Sequence, residues 1–482
     1  MAKDNSLNNR IKIATKWSAI TEILAKLISP LTSMVLARLL TPEAFGIVAT
    51  LTMVITFAEI FTDAGFQKYI IQHKFKNEID KEDSTNVAFW SNFVMSMIIW
   101  GGIALFRDPL AELVGNPGLG YVLVIACVSI PLCAFSSIQM ARYKRDLDFR
   151  TLFRVRVVGV LVPLFVTIPL AFYMRNFWAL VIGTITANCI NAILLTYYSK
   201  WKPKFFFSKI KFKEMFSFSM WSMFEQVTIW LTSYVDAFIV GTMLSQYYLG
   251  IYRTSVSVVG QIVALITAVT TPVLFSSLSK LQDDREEFLR LFFKFQKFVG
   301  LLVMPLGVGI FIFRKLITDF FLGDQWGEAA YFIGLWGLTS SITIVLSHYS
   351  SEVYRAKGKP KLSVLAQVLH IVVLCPAVLI AIDYGFYILC TVRAIVRLEL
   401  IAVNLIIMYL LMKMPIGKMF SNILPSCIAS CAMMIVLFLP EPSGLFQNIF
   451  YVMLDVILYV AVIMFFPQEK SILLNIKTII KK

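Results

Sequence analysis

Ten lysine and arginine residues interrupt segments of the chain that are otherwise apolar, and Arg253, Arg393 and Arg397 are among them. A charge at the middle of a lipid bilayer costs roughly 2.5–3.5 kcal/mol on insertion scales, so such a side chain normally faces a water-filled cavity or a partner. Arginine suits the binding of a phosphate, because its planar guanidinium donates two parallel hydrogen bonds. These arginines are therefore candidates for binding an anion.

Polar side chains recur along the same helix faces as these cations. Residues three, four or seven positions apart share one face of a helix. Five predicted helices carry such sets: Thr52, Thr56, Glu59 and Asp63; Glu225, Thr228, Thr232 and Asp236; Arg253, Ser257 and Gln261; Arg393, Arg397 and Asn404; and Glu22, Lys26 and Ser33. The residues predicted to bind the substrate are Arg253, Arg397, Arg393, Lys26, Arg38, Ser257 and Gln261. The candidates for coupling to an ion are Asp236, Glu225, Glu59 and Asp63.

Each of these assignments has a structural alternative. Glu22 and Lys26 are four residues apart and could neutralise each other on one helix. Arg38 lies near a predicted helix end, where a long cationic side chain can extend to the lipid headgroups. Asp236 and Glu225 could serve as hydrogen-bond partners that hold helices together.

The composition places these residues in a membrane protein. The chain has 482 residues, of which 58% are hydrophobic and 15% charged. Soluble proteins are nearer half apolar and a quarter charged, so this chain has more apolar surface than one soluble core could bury. The seven cysteines lie inside apolar segments without metal-binding spacing, and the three histidines are scattered. We therefore expect no disulfide, metal or cofactor, and no cleavable signal before the first helix.

About 20 apolar residues span a bilayer, and a backbone in lipid must form its own hydrogen bonds, so the spans are predicted to be helices. Fourteen are predicted, at residues 13–39, 43–64, 86–106, 118–141, 152–173, 177–199, 214–243, 247–275, 291–313, 328–354, 362–382, 385–411, 417–439 and 446–466.

Charge in the loops predicts the orientation of these helices. Alternate loops and the two termini hold 30 lysines and arginines, whereas the remaining loops hold four, at Arg107, Arg175, Arg314 and Lys315. Basic loops normally remain in the cytoplasm, so both termini are predicted to be cytoplasmic. This distribution explains the net charge of +15 without nucleic acid, since basic loops can lie against anionic lipid headgroups. The outer loops are too short for a catalytic domain, which argues against an enzyme.

An internal repeat predicts two related halves. Residues 37–47 are echoed at 241–252, with Gly46 aligned to Gly250, and three further matches follow in the same order at similar offsets. The expected fold is an all-α polytopic membrane protein with about 14 transmembrane helices. Two pseudo-symmetric six-helix lobes would enclose a central cavity. The predicted parts are an N-lobe at 1–199, a basic cytoplasmic linker at 200–213, a C-lobe at 214–411, and a helix pair with a basic tail at 412–482.

Several motifs resemble those of the polysaccharide transporter family, which comprises Wzx-type flippases of the multidrug/oligosaccharidyl-lipid/polysaccharide exporter superfamily. They are LARLLTPEAFG at 36–46, EIFTDAGF at 59–66, RDLDFR at 145–150, WALV at 178–181, DAFIVG at 236–241, LGIY at 249–252 and LGDQW at 322–326. The resemblance extends over nearly the whole chain and is closest to the colanic and teichuronic acid exporter branch. Arg253 departs from it, because a small or polar residue is commoner there.

This resemblance implies an undecaprenyl-diphosphate-linked oligosaccharide as substrate, moved by alternating access to the outer leaflet of the bacterial plasma membrane. Polysaccharide polymerase or export machinery would be the possible partners. A cationic cavity would hold the diphosphate while the polyprenyl tail stays in lipid. Two alternatives remain open, a cation-coupled multidrug exporter of the same superfamily and a membrane polysaccharide polymerase. Fourteen spans and the arginine stripes argue against the exporter, and the short outer loops argue against the polymerase.

Overall fold

The computed structural model describes residues 2–63, 65–442 and 444–474, and every regular element in these ranges is helical. The chain divides into two compact units, Met1–Gly250 and Ile251–Lys482. The helices before the second unit are α1 (Ala2–Leu39), α2 (Pro42–Asp63), α3 (Phe66–Gln72), α4 (Glu78–Leu105), α5 (Arg107–Leu113), α6 (Gly120–Ala126), α7 (Ser129–Arg145), α8 (Phe149–Val162), α9 (Ile168–Met174), α10 (Trp178–Tyr198) and α11 (Lys209–Met243).

Helix α12 (Gln246–Lys280) begins in the first unit and continues into the second. The helices after it are α13 (Arg285–Ile312), α14 (Arg314–Phe321), α15 (Ala329–Thr343), α16 (Ser350–Ala356), α17 (Lys361–Ile382), α18 (Phe386–Leu410), α19 (Ile416–Met433), α20 (Leu445–Ile463) and α21 (Pro467–Leu474). Single π turns, Pro163–Thr167 and Ile344–His348, join α8 to α9 and follow α15. The two-lobe boundaries expected from the sequence stay a prediction.

Long helices occupy all the predicted spans. Within the described residues, twelve helical segments are long and apolar enough to cross a membrane. Two further long helices, α11 and α18, coincide with predicted spans 7 and 12 but are more polar. Helix α11 begins at Lys209, inside the segment predicted as the linker.

The element order repeats, as the sequence predicted. Helices α4 and α13 each have 28 residues, and Asn77 and Asp284 cap their N-termini by accepting a backbone N–H three residues on. Each helix is followed by a short helix, α5 or α14. A glycine with positive φ comes after each short helix, Gly115 at 77° and Gly323 at 92°. The repeat is therefore one of local structure as well as of residue type.

In the second unit, α13 and α15 approach each other closely. A Cβ on Gly337 would lie 2.3 Å from Ile310, and a Cβ on Gly307 would lie 2.1 Å from Ser341. Glycine at these two positions therefore permits α13 and α15 to approach to a distance at which any larger residue would clash. Gly337 and Ser341 therefore lie on the face of α15 that packs against α13. The residues immediately before them, Trp336 and Ser340, contact α18.

A buried ion pair attaches the C-terminal helix α21 to α13. Lys297 Nζ lies 2.9 Å from Glu469 Oε1, and these side chains are 14% and 4% exposed. The same ammonium group donates to Gln468 Oε1 at 2.7 Å. Lys297 lies within the predicted span 291–313, and Glu469 is its anionic partner there.

We expect Glu469→Ala to destabilise the protein by about 3–5 kcal/mol, because it leaves the Lys297 charge buried without its partner. Thermal unfolding in detergent measures the effect, and limited proteolysis would show release of α21. The control is Glu287→Ala, which removes an exposed pair with Arg290 on the same helix and should cost under about 1 kcal/mol. Equal losses in the two variants would contradict a buried, stabilising pair.

Candidate anion-binding site

Two arginines of α18 lie against one tryptophan of α15. The Cζ atom of Arg397 is 4.2 Å from the centre of the Trp336 ring, and that of Arg393 is 5.0 Å away. A guanidinium within about 6 Å of an aromatic ring centre is attracted by its electron-rich face. The Nη1 atom of Arg397 also donates to Ser340 Oγ. Helix α15 therefore holds the two cations in place on α18.

The two arginines differ in their access to the surroundings. Arg393 is 6% exposed and contacts the Trp336 ring. Arg397 is half-buried, and its guanidinium carries five N–H donors. We therefore regard Arg397 as the stronger candidate for direct anion binding.

A carboxylate on the same helix limits the positive charge. Glu399 Oε2 accepts from His370 Nδ1 of α17 at 2.9 Å, and His370 is buried. This pair joins α17 to α18 in the region that carries Arg393 and Arg397. Glu399 thus has His370 as a hydrogen-bond partner.

Aromatic rings extend from the arginines toward α12. Trp336 lies 5.4 Å from Phe332, and Phe332 stacks on Tyr252 of α12 with ring centres 4.8 Å apart and planes at 19°. Rings at these distances stabilise each other beyond their buried area. Arg253 follows Tyr252 in the chain and is half-buried. The packing of Tyr252 on Phe332 thus fixes the position of α12 at the residue next to Arg253.

The other two predicted binding residues of α12 lie one and two turns beyond Arg253. Gln261 Nε2 donates to Ser257 Oγ at 3.1 Å, and Ser257 is exposed. These three residues share one face of α12. Arg253, Ser257 and Gln261 therefore remain candidates as a set.

The predicted cations of α1 have different surroundings. Lys26 is half-buried, and Glu22 and Arg38 are exposed. Within the described residues, Glu22 and Lys26 form no ion pair, so the structure does not support their mutual neutralisation. Arg38 lies in the last turn of α1, where a cation interacts favourably with the helix dipole. The role of Lys26 and Arg38 in binding stays a prediction.

In the first unit, α11 contacts Thr56 of the polar stripe on α2. Trp230 Nε1 donates to Thr56 Oγ1 at 3.2 Å, and its ring lies 4.6 Å from that of Phe57. Trp230 lies two positions from Thr228 and from Thr232, so it is not on the predicted polar face of α11. Packing of the polar face of α11 against that of α2 stays a prediction.

The four predicted ion-coupling carboxylates have individual partners. Glu225 pairs with Lys68 at 3.7 Å, and Asp63 accepts the Gln67 backbone N–H at 3.3 Å. The remaining two are placed as follows: Glu59 lies beside the Cys133 thiol, and the buried Asp236 accepts the Ala237 N–H at 2.7 Å. Ion coupling by any of the four stays a prediction.

The sequence analysis did not single out Trp336, Ser340, His370, Glu399 or Asp455. Trp336 gives no signal in a search for charges, and Glu399 is two residues from Arg397, which places it off the arginine face. Asp455 was detectable, because it is the single charged residue of α20. It is 2% exposed, and a buried carboxylate within a membrane span suggests a functional role.

Comparisons with known proteins agree with this architecture. A family model described as "Polysaccharide biosynthesis protein" matches residues 35–331. An uncharacterized membrane protein in the cps region of Klebsiella pneumoniae is 23% identical over 366 residues, which are 75% of this chain and 74% of that protein. The lipopolysaccharide biosynthesis protein WzxC of Escherichia coli (strain K12) is 21% identical, over 67% of this chain and 65% of WzxC.

The succinoglycan biosynthesis transport protein ExoT of Rhizobium meliloti (strain 1021) is 24% identical, over 68% of this chain and 65% of ExoT. Solved structures show the same fold. The lipid II flippase MurJ in an inward closed conformation has a TM-score of 0.73 at 15% identity, covering 96% of this chain and 99% of MurJ. A multidrug resistance MATE family transporter in an inward-facing conformation has a TM-score of 0.64 at 12% identity, covering 82% and 96%.

These findings confirm the all-helical polytopic fold and the resemblance to polysaccharide transporters. Membership of the colanic and teichuronic acid exporter branch stays a prediction. The protein is a multi-pass membrane protein, with helices long and apolar enough to cross a bilayer. Since the family model covers more than half of its length, the chain belongs to the polysaccharide biosynthesis protein family.

Proposed function

We propose that this protein is a flippase for undecaprenyl-diphosphate-linked oligosaccharides. It moves them from the cytoplasmic to the outer leaflet of the bacterial plasma membrane for surface polysaccharide synthesis. The observation that carries this proposal is the placement of Arg397 and Arg393 on Trp336, with Ser340 alongside, inside a membrane protein of this family. The names of ExoT, a succinoglycan biosynthesis transport protein, and of WzxC, a lipopolysaccharide biosynthesis protein, concern those proteins and support the same class of function.

The chemistry of the substrate explains the need for such a site. A sugar diphosphate cannot cross hydrocarbon unaided, because desolvating a charged group is costly. Arg397 would bind the diphosphate through its planar fork, while Arg393 keeps Trp336 and the neighbouring packing in position. The polyprenyl tail would remain in lipid throughout.

Transport would follow alternating access, as is usual for transporters built from internal repeats. Both termini and the basic loops would lie in the cytoplasm. Arg253, Ser257 and Gln261 of α12 would supply further contacts to the head group, and substrate binding by Lys26 and Arg38 of α1 stays a prediction. No chemical bond in the substrate changes, so the protein acts as a transporter and not as an enzyme.

The proposal is tested by the sidedness of lipid-linked oligosaccharide in cells that lack this protein and any redundant transporter. We expect the oligosaccharide to accumulate in the inner leaflet, as measured by its protection from an impermeant glycosidase in intact cells. Expression of the wild-type chain should restore outward exposure. Single flipped units accumulating outside would instead indicate a polymerase, and unchanged sidedness would favour a drug exporter.

A membrane potential should affect the direction of transport. Moving one charge through 100 mV is worth roughly 2.3 kcal/mol, so a head group with about two negative charges gains roughly 4–5 kcal/mol on leaving an inside-negative compartment. In proteoliposomes, an inside-negative potential should accelerate outward flipping and a reversed potential should slow it. Collapsing the potential with an ionophore is the control. Rates that ignore the imposed potential would contradict this drive.

A further inference from the structure

The last two long helices, α19 and α20, meet α13 beside a proline. Pro305 has no backbone N–H, so the carbonyl of Leu301, four residues earlier, lacks the donor that a helix normally supplies. Tyr459 of α20 donates to that carbonyl at 2.8 Å, and Ser426 of α19 lies beside the Tyr459 hydroxyl. These contacts fix the level at which α20 packs against both neighbouring helices.

One turn further into the membrane span, two buried oxygen atoms have no partner. Helices α19 and α20 are consecutive spans and run antiparallel, so the residue four positions after Ser426 lies level with the residue four positions before Tyr459. These residues are Ser430 and Asp455, which are 1% and 2% exposed. Neither Ser430 Oγ nor Asp455 Oδ1 has a hydrogen-bond partner among the described residues. A carboxyl group is therefore enclosed near the middle of the span Phe446–Ile463.

The helices around Asp455 bring no opposite charge to it. Asp455 is the single charged residue of α20, and the only one of α19 is Lys418, in its first turn. Helix α13 has no charged residue after Lys297, which is itself paired with Glu469. The turn Met434–Phe438 and helix α15 have none. The other titratable groups on α19 and α20 are phenols and thiols, at Tyr451, Tyr459, Cys427 and Cys431.

We propose that Asp455 is a proton-binding site and that α20 packs against α13 and α19 with this carboxyl protonated. An ionised carboxylate without a counter-charge is very costly in a buried position, and such a group becomes neutral by taking up a proton. The neutral carboxyl and the Ser430 hydroxyl can each donate to the other. Loss of the proton would leave a bare charge between the helices and would favour separation of α20.

A proton fits this position better than a metal ion does. A hard cation takes several oxygen ligands, whereas the described residues offer two unpartnered side-chain oxygens here, on Asp455 and Ser430. The Tyr459 hydroxyl and the Leu301 carbonyl are already bonded to each other. The site lies apart from Arg393 and Arg397 of α18, and the proposal does not depend on flippase activity.

The first test is infrared difference spectroscopy of the purified protein in lipid nanodiscs at about pH 7. We expect Asp455→Asn to remove a carboxylic-acid carbonyl band from the wild-type spectrum. The matched control is Glu469→Gln, which removes a carboxyl that is also buried but has Lys297 as its cationic partner, and it should remove carboxylate bands instead. Ser430→Ala should shift the acid band without removing it, which keeps the test decisive if Asp455→Asn fails to fold.

The second test is the pH dependence of unfolding. The packed state holds a proton that an exposed aspartate releases above about pH 4, so wild-type stability should fall as the pH rises, by up to about ten-fold in the unfolding equilibrium per pH unit. Asp455→Asn should remove this part of the pH dependence, whereas Glu287→Gln, which changes an exposed carboxylate of α13, should keep it.

Loss of carboxylate bands in Asp455→Asn, an acid band that Ser430→Ala leaves unmoved, or equal pH dependence in wild type and Asp455→Asn would overturn the proposal. An acid band that sodium ions abolish at constant pH would overturn it too, by assigning the position to a metal ion. Gel filtration verifies the fold of each variant.

Discussion

Alanine at Gly46 or Gly250 is expected to prevent the accumulation of folded protein. A Cβ on Gly46 would lie 1.8 Å from the carbonyl oxygen of Gln246, and a Cβ on Gly250 would lie 1.8 Å from that of Pro42. Each glycine thus touches the residue four positions before the other glycine. Both obstacles are backbone atoms near helix starts, so neither can move aside as a side-chain tip could.

The expected loss exceeds the roughly 1–3 kcal/mol typical of overpacked cores, because the helices themselves must separate. Fluorescence-detected gel filtration and thermal unfolding measure the effect. Gly260→Ala is the matched control, since it lies in α12 with no atom within 4 Å of the added Cβ and should stabilise the helix by up to about 1 kcal/mol. If Gly46→Ala and Gly250→Ala unfolded at the wild-type temperature, the close crossing of α2 and α12 would be wrong.

Loss of the Arg397 side chain should reduce flipping about 100-fold. A hydrogen bond to a charged group contributes roughly 1.5–3 kcal/mol, and the diphosphate would lose a charged partner of this kind. Arg397→Lys should recover part of the rate, since an ammonium keeps the charge but lacks the planar fork. The measurement is the rate of flipping of a fluorescent lipid-linked sugar diphosphate in proteoliposomes.

The control for this experiment is Arg156→Ala, which removes an exposed arginine of α8 and should leave the rate within about two-fold. Ser340→Ala tests positioning, because it removes the acceptor of Arg397 without changing charge. We expect Ser340→Ala to raise the Kd for the substrate by a larger factor than it lowers the flipping rate of bound substrate. A wild-type rate in Arg397→Ala, in protein that remains folded, would remove Arg397 from the site.

The helices were largely predictable, because a long apolar segment in lipid must be helical. The ends of these helices were less predictable. Helix α4 begins at Glu78, whereas its apolar span was predicted to begin at 86, because Asn77 caps a polar first turn outside the apolar region. Hydropathy indicates which residues lie within the bilayer, whereas capping residues determine where the helix begins.

The site was predictable only in part. Helical spacing identified Arg393 and Arg397 on one face, but it could not show that Trp336 and Ser340 of another helix hold them. Such contacts depend on which helix faces pack together. Helical periodicity in one sequence shows which residues share a face, but it does not show which other helix packs against that face. The partner of Lys297 was missed for the same reason, because Glu469 lies 172 positions later.

The charge content of α18 has a consequence for biogenesis. Arg393, Arg397 and Glu399 all lie in this 25-residue helix, and each charge opposes lateral release from the translocon into lipid by roughly 2.5–3.5 kcal/mol when central. His370 on the preceding helix pairs with Glu399, and α17 carries no charge between Lys361 and its end. Helices α17 and α18 should therefore enter the membrane together as a hairpin. Glycosylation mapping of chains truncated after α18, with and without His370→Leu, would detect this dependence.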